Sequence, residues 1–474
     1  MSKNPDSQEG ADLGALEARR LESIEDWVKT HVGGRVDEIE RLERWRPVWR
    51  VDYSKDGEKK ALLVRGDRPC TTLYSLRHEM LVMEALEANG IPVPHIHGWM
   101  DFPKAFVMDW AEGDRDPGMI HTAIENATSM SPERWAASLK YVEVLARMHA
   151  IPVSEFSEIE GIRPVGAREI ATSQLERQYA VGVEANAIDS TIEYMTSWCR
   201  RNVPEHRTEG SFITGDAGQF LCTGDEISAV IDFEIAHIGD IFMDLSCFRG
   251  RHPYENMGDI PALFRHYAKV SGVELDLRVI GYHTACYLTF ATIAANMFMD
   301  PESQDSNWIE GILEYASIAR RVMEAIAELE GIELDYDLHL PEAHVTPVED
   351  SAIEKLLLEI DRLPTSNTFL PWQRDLMADI PRFLLNQAHY GRWYEDETLR
   401  DISELTGKRP ENLAAAENDL KAYIDVGDPA RDKDLVQLVH RRMLRLSMVI
   451  AGSDPTDDNP LFFKLEPILN METR

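Results

Sequence analysis

Two aspartates sixteen positions apart, Asp216 and Asp232, each follow a short apolar run. Phe212-Ile213-Thr214-Gly215 precedes the first, and Ile227-Ser228-Ala229-Val230-Ile231 precedes the second. Runs of this composition predict buried strands. The spacing then puts the two carboxylates at the ends of neighbouring strands, with a loop and one further strand between them. Carboxylates so placed could divide the work of phosphoryl transfer: one orients a hydroxyl for attack and the other holds Mg²⁺ on a phosphate. Taken singly, each aspartate would serve equally well as the cap of a strand-to-turn junction.

The surrounding chain must supply the frame. Leu13 to Val32 reads as an amphipathic helix ended by Gly33-Gly34, after a polar stretch over residues 1–12 that reads as disordered. Residues 47–53 and 60–65 predict a hairpin about Lys55-Asp56-Gly57. A helix follows from Leu73 to about Asn89, stopped by Gly90, Pro92 and Pro94, and then a strand over Lys104–Asp109. From Ser131 the pattern turns helical. Ser131-Pro132-Glu133 opens one helix with an N-cap, an N1 proline and an early acid, and further helices fit 170–202, 259–271 and 277–298. Residues 335–348 carry Pro341 and Pro347 and read as a linker, and 349–452 read as helices broken near Pro364, Gly407 and Gly427. These boundaries give an N-terminal tail and helix (1–34), a strand-rich lobe (35–112), a helical lobe carrying the aspartates (113–334), the linker, and a C-terminal helical domain (349–474).

A chain of 474 residues exceeds one ordinary core. Its 49 Lys+Arg against 83 Asp+Glu give a formal charge of −34. That balance disfavours nucleic acid and anionic membranes as partners, and suits solubility or a cationic ligand. The five cysteines are odd in number and form no C-x-x-C pair, so neither a disulfide framework nor a zinc site is expected. With no secretory core at the N-terminus and no apolar span of bilayer length, the expectation is a cytoplasmic protein.

The run Gly215-Asp216, Gln219, Ile231-Asp232-Phe233-Glu234 and Gly239-Asp240-Ile241-Phe242-Met243-Asp244-Leu245 resembles that of the aminoglycoside phosphotransferase and choline kinase group of small-molecule kinases. Within that group it is closest to acyl-CoA-dehydrogenase-associated kinase domains. The resemblance covers roughly residues 30–330. It implies an α+β, bilobal protein-kinase-like fold, with a small β-rich N-lobe and a mostly helical C-lobe, here followed by an all-α domain. It implies transfer of the terminal phosphate of ATP or GTP to a hydroxyl of a small molecule, with Mg²⁺ as cofactor. Asp216 would orient the hydroxyl, and Asp232 and Gln219 would hold the metal. Arg65, at the end of the second strand, would contact the nucleotide phosphates, held by Glu79 of the following helix. Backbone groups of Asp109, Trp110 and Ala111 would meet the adenine edge.

Asp240 and Asp244 read as the cap and first turn of a helix that buttresses the loop, and His237 and His149 as packed core residues. Three departures stand out: Thr214 replaces the usual His, Gln219 replaces Asn in a shortened loop, and Trp45-Arg46-Pro47-Val48-Trp49-Arg50 stands where a glycine-rich phosphate loop is expected. Bulky residues there deny phosphate a close backbone approach, leaving Arg46 or Arg50 to supply a guanidinium. The alternative reading is a non-catalytic nucleotide-binding or regulatory protein on a kinase scaffold. The C-terminal helices, with Trp372, Tyr390, Trp393 and Tyr394 and with Arg441, Arg442 and Arg445, would pack on the kinase-like lobe or join two copies as a homodimer.

Overall fold

Alternation of buried and half-exposed residues along Val48–Lys55 and Glu58–Gly66 builds the centre of an antiparallel sheet. A computed structural model describes residues 13–42, 46–68, 72–114, 130–161, 163–300, 308–364 and 369–471. In it these two strands are β2 and β3 of five, ordered β1-β2-β3-β5-β4, with β1 at Arg35–Arg41, β4 at Ile96–Asp101 and β5 at Lys104–Asp109. The sequence reading had strands only at β2, β3 and β5. Strand β1 is mostly charged and exposed, and β4 carries little apolar alternation, so neither gave a strand signal. Residues 1–12, Cys70 and the stretch 43–45 lie outside the described residues.

Helix α1 (Leu13–His31) lays Ile24 and Val28 against Trp49, Val51, Leu62, Val64, Ala105 and Val107 on one face of the sheet. Helix α2 (Leu76–Ala88), capped by the Ser75 hydroxyl, brings Met80, Met83 and Leu86 to the other face, beside Phe106 and Met108. Alternate residues of β5 thus serve two cores, which is why four consecutive positions of that strand are buried.

The helical half comprises α3 (Pro132–His149), α4 (Gly166–Glu184), α5 (Ser190–Arg201), α6 (Ile241–Arg251), α7 (Ile260–Ser271), α8 (Leu277–Phe298), α9 (Trp308–Glu330), α10 (Pro347–Asp361), α11 (Phe369–Thr406), α12 (Leu413–Ile424) and α13 (Asp432–Ala451). The segment 170–202, expected as one helix, is two: Asp189 accepts from the Ile192 amide and starts α5 anew. Pro347 is the first residue of α10 rather than part of a linker, as suits proline at a helix start. The cluster filling the helical lobe continues into Leu420, Ile424, Leu435, Val436, Val439 and Ile468, so the C-terminal helices share its core.

Between the halves lie two short ribbons: β6 (Ser211–Ile213) pairs with β9 (His237–Gly239), and β7 (Phe220–Thr223) with β8 (Glu226–Val230). Asp216 follows β6 and Asp232 follows β8. The two aspartates therefore leave separate ribbons, not neighbouring strands of one sheet as the spacing suggested.

The strand-rich half joins the helical half at Asp114, which exchanges two backbone bonds with Cys222, at 2.9 and 3.1 Å. Gly113 precedes it with φ +124°, and a Cβ there would lie 2.6 Å from the Cys222 carbonyl oxygen. Gly113→Ala should therefore lower stability by about 2 kcal/mol or more, through backbone strain and a broken junction. The midpoint of urea unfolding reads this, and an unchanged midpoint would show that the junction relaxes without cost.

Candidate active site

Asp244 organises the loop that carries Asp216. Its carboxylate is fully buried in the first turn of α6. It accepts from the Thr214 amide (2.8 Å), the Thr214 hydroxyl (2.9 Å) and the Gly215 amide (2.9 Å). His149 Nε2 lies 3.0 Å away, with Nδ1 2.8 Å from the Tyr267 hydroxyl. A carboxylate only accepts, so Nε2 donates to Asp244, and Nδ1 shares the second bond with the tyrosine hydroxyl. Asp240 caps α6 and takes two bonds from Arg207, each 2.8 Å. Burial opposes its charge, but Arg207 and His283 override this and hold the carboxyl below its ordinary range. Gly215 has φ +75°, and a Cβ there would meet the Ile235 carbonyl at 2.8 Å.

The carboxylate that this loop presents is itself held. Asp216 Oδ1 accepts from Arg251 Nη1 (2.5 Å) and the Tyr287 hydroxyl (2.7 Å), and Oδ2 from Gln219 Nε2 (2.7 Å). Arg251 also donates to Glu255, at 2.7 and 3.2 Å. Burial alone would weaken the Arg251 charge, but Asp216 and Glu255 keep the guanidinium strongly protonated. Burial and the adjacent Asp216 hold the Tyr287 phenol protonated.

Asp232 sits at φ +69°, a left-handed conformation uncommon for a residue with a Cβ. It accepts from Arg65 Nη2 at 2.7 Å, and Arg65 Nε donates to Glu79 at 2.8 Å. The expected Arg65–Glu79 pair is thus formed, with Glu79 1% exposed. Arg46 joins the cluster, bonding Glu79 at 3.4 Å and Glu234, and Arg68 donates to Glu234 at 2.8 Å. Three guanidinium groups and three carboxylates therefore meet between the sheet and the helical half. Arg65 would be weakened by burial, yet Glu79, Asp232 and Glu234 raise its pKa above the ordinary arginine value. Arg46 moves the other way, down to about 10, through burial and the nearby Arg65. Burial and Asp232 raise the Glu234 carboxyl.

Gln219 links the two centres. Its side chain reaches Asp216, and its carbonyl accepts from the Ile231 amide at 3.2 Å, one residue before Asp232. The Asp216 and Asp232 side chains remain 19% and 28% exposed, so both open to solvent. The Gln219 amide nitrogen is turned to Asp216, and the same amide group carries an oxygen, a hard donor by its chemistry. Asp232, Glu234 and that oxygen are hard donors of the kind that hold Mg²⁺ through one or two carboxylates, with phosphates and water completing the shell.

At the hinge the Asp109 amide donates to His95 O (2.9 Å) and the Trp110 amide to Ala61 O (3.1 Å). Of the backbone groups expected at an adenine edge, the amides of Asp109 and Trp110 are therefore engaged internally. Arg50, the other candidate for phosphate, turns to Asp52 (3.0 Å) and stacks over Trp110 at 4.5 Å. It does not enter the arginine cluster. Sequence reasoning missed Arg68, Arg251 and Tyr287 altogether, and gave Glu234 no role. Arg251 closes α6 nineteen residues beyond Asp232, and Tyr287 lies inside an apolar helix, so neither gives a local signal. Arg441 and Arg445 pair with Asp401, and Arg442 with Glu417, inside the C-terminal bundle.

Residues 38–268 match the model of the phosphotransferase enzyme family. Several solved structures are similar. A candidate aminoglycoside phosphotransferase from Ralstonia eutropha is 16% identical, covering 64% of this chain and 97% of its own, with TM-score 0.48. An ethanolamine kinase from Plasmodium vivax is 14% identical, covering 66% and 95%, with TM-score 0.45. A thermostable aminoglycoside phosphotransferase APH(4)-Ia mutant in ternary complex with ADP and hygromycin B is 15% identical, covering 63% and 98%, with TM-score 0.43. No curated protein matches the chain. No helix among the described residues is long and apolar enough to cross a membrane.

His237 packs where this loop turns, its Nδ1 3.0 Å from Ile235 O. Burial holds the imidazole neutral, with its pKa down to about 4. The unfolded chain takes up this proton below about pH 6.5, and the native chain only near pH 4. Native stability should therefore fall as pH drops through that window, by about 3 kcal/mol in all from this group. In urea unfolding at pH 7 and pH 5, His237→Gln should lose less stability on acidification than the parent, by about 2 kcal/mol. Equal losses in the two proteins would mean that His237 is protonated in the native state.

Proposed function

With residues 38–268 belonging to the phosphotransferase enzyme family, we propose that the protein is a Mg²⁺-dependent kinase that moves the terminal phosphate of ATP or GTP to a hydroxyl of a small molecule. The observation that carries this reading is the pairing of two partly exposed aspartates through Gln219. One stands among arginines suited to phosphate, and the other stands apart from them.

The nucleotide phosphates would enter the cluster of Arg46, Arg65 and Arg68. Guanidinium forks match phosphate oxygens with paired donors, which replaces the backbone cradle that Trp45 to Arg50 cannot provide. Asp232 and the Gln219 oxygen would hold Mg²⁺, which when bound neutralises charge on the phosphates. Arg65, bonded to Asp232, would turn its outer nitrogens to phosphate while Glu79 keeps its Nε in place. The adenine edge would meet carbonyls of the hinge and the amide of Ala111, since the amides of Asp109 and Trp110 are engaged.

Asp216 would accept a hydrogen bond from the acceptor hydroxyl and aim its oxygen in line with the phosphate. Its three present donors fix its direction, which suits it to orienting the hydroxyl. A cytoplasmic setting belongs to the same reading, supported by Cys199, Cys222, Cys247 and Cys286 lying buried as free thiols.

Thermal denaturation with and without Mg²⁺ and each nucleotide tests the proposal. A nucleotide at a hundred times its dissociation constant should stabilise the protein by about 2.7 kcal/mol. Asp232→Asn should abolish the Mg²⁺-dependent part of that gain. No gain from either nucleotide in the parent would instead support a scaffold without catalysis. Asp216→Asn should keep the gain and slow phosphate transfer by about 10²- to 10⁴-fold. Transfer at the parent rate would remove Asp216 from the reaction.

A further inference from the structure

The last described segment, residues 460–471, crosses the helical lobe as a strap, and side chains of two helices read its backbone. Helix α9 presents Arg320, Glu324 and Glu328 at four-residue intervals, with Arg321 beside them. Arg320 donates to the carbonyls of Leu461 (3.0 Å) and Phe463 (2.9 Å). Arg321 donates to those of Phe463 (3.0 Å) and Pro460 (2.8 Å). Glu324 accepts from the Leu465 amide at 2.7 Å, and Glu328 from the amides of Ile468 (2.7 Å) and Leu469 (2.9 Å). Leu461, Phe462, Leu465 and Ile468 are buried beneath the strap.

One side chain carries this contact into the candidate active site. Arg249 lies on α6 with 1% of its side chain exposed. Its Nε donates to the Glu466 carbonyl at 2.7 Å, and its Nη2 pairs with Glu328. Two residues later on the same helix, Arg251 holds Asp216. At the start of that helix, Asp244 holds the amides of Thr214 and Gly215. The C-terminal end of α6 would otherwise bring a buried guanidinium into the core with Glu328 alone, a costly arrangement without the added acceptor.

We propose that the C-terminal strap is part of the catalytic apparatus, and that Arg249 is the positioning residue through which residues 460–471 fix α6 and, with it, the orientation of Asp216. The inference rests on the kinase reading of Asp216, but its physical core, a rigid catalytic loop that depends on the strap, is measurable without substrate. The strap lies beyond the family match, which ends at residue 268, so this chain supports its catalytic loop with a segment of its own.

Hydrogen exchange on the full chain is the test, comparing the parent with Arg249→Met, Arg249→Lys and Glu328→Gln. Arg249→Met should speed exchange of peptides covering 211–223 and 241–251 by about tenfold, and leave strands over 48–66 unchanged. Arg249→Lys should restore part of the protection, because an ammonium still reaches the Glu466 carbonyl. Glu328→Gln keeps an oxygen for the two strap amides but weakens the Arg249 pair, so it should show the same pattern at smaller amplitude. It also serves if the methionine variant folds poorly. Thermal stabilisation by Mg²⁺ and ATP should persist in all three. Unchanged exchange over 211–223, or a uniform rise across the whole chain, would overturn the proposal. A parent that gains nothing from nucleotide would sink the kinase reading and leave the exchange result standing.

Discussion

Charge pairing across the cleft constrains everything else in this molecule. Glu79 is buried on α2, Arg65 ends a central strand, and Asp232 and Glu234 follow a ribbon more than a hundred and fifty residues later. A buried carboxylate or guanidinium left alone costs several kcal/mol, and removing one partner of such a set exposes the other. The sheet, α2 and the loop after β8 must therefore meet in one arrangement for these six charges to be compensated. The same arithmetic limits what can enter. A ligand that separates Arg65 from Asp232 has to offer an anion to the first and a cation to the second, which a metal-bound polyphosphate does.

A second set of charges holds the loop. Asp244 and Asp240 on one helix face Thr214, Gly215, Arg207 and His149 with almost every acceptor site engaged. Asp216 extends from this fixed frame and is gripped by Arg251 of the same helix. Helix α6 thus carries in its first turn a carboxylate that holds the backbone before Asp216 and ends with a guanidinium that holds its side chain. The strained left-handed backbone of Asp232 is sustained on the other side of Gln219 by the arginine cluster. Such strain persists only where neighbours over-determine it.

Much of this was legible in residue types. Asp216 and Asp232 stand in runs whose glycines, aromatics and following Gly-Asp turn have few other uses together, and Glu79 lies among the apolar residues of α2, where a carboxylate demands a partner. Ser131-Pro132, Gly33 and Gly90 mark helix ends by their own conformational needs. The failures share one cause. Strands β1 and β4 owe their conformation to hydrogen bonds with β2 and β5, not to their own side chains. Arg251, Tyr287 and Arg68 gain their roles only by long-range approach. Burial of Arg249, Arg320 and Arg321 could not be anticipated from arginines that look like surface residues in a helical pattern.

Those three arginines explain how the C-terminal segment stays in place. Backbone carbonyls have no sequence identity, so guanidinium groups reading them set position and direction but would accept many strands. Selection falls to Leu465 and Ile468, which enter the lobe's core, and to Leu461 and Phe462, which fill two smaller clusters beside it. Glu324 and Glu328 then fix register, since each can accept only where an amide points inward. A strap held in this way is removed only by uncovering three cations and two carboxylates together. Its loss would be felt first where one of those cations, Arg249, shares a helix with the grip on Asp216.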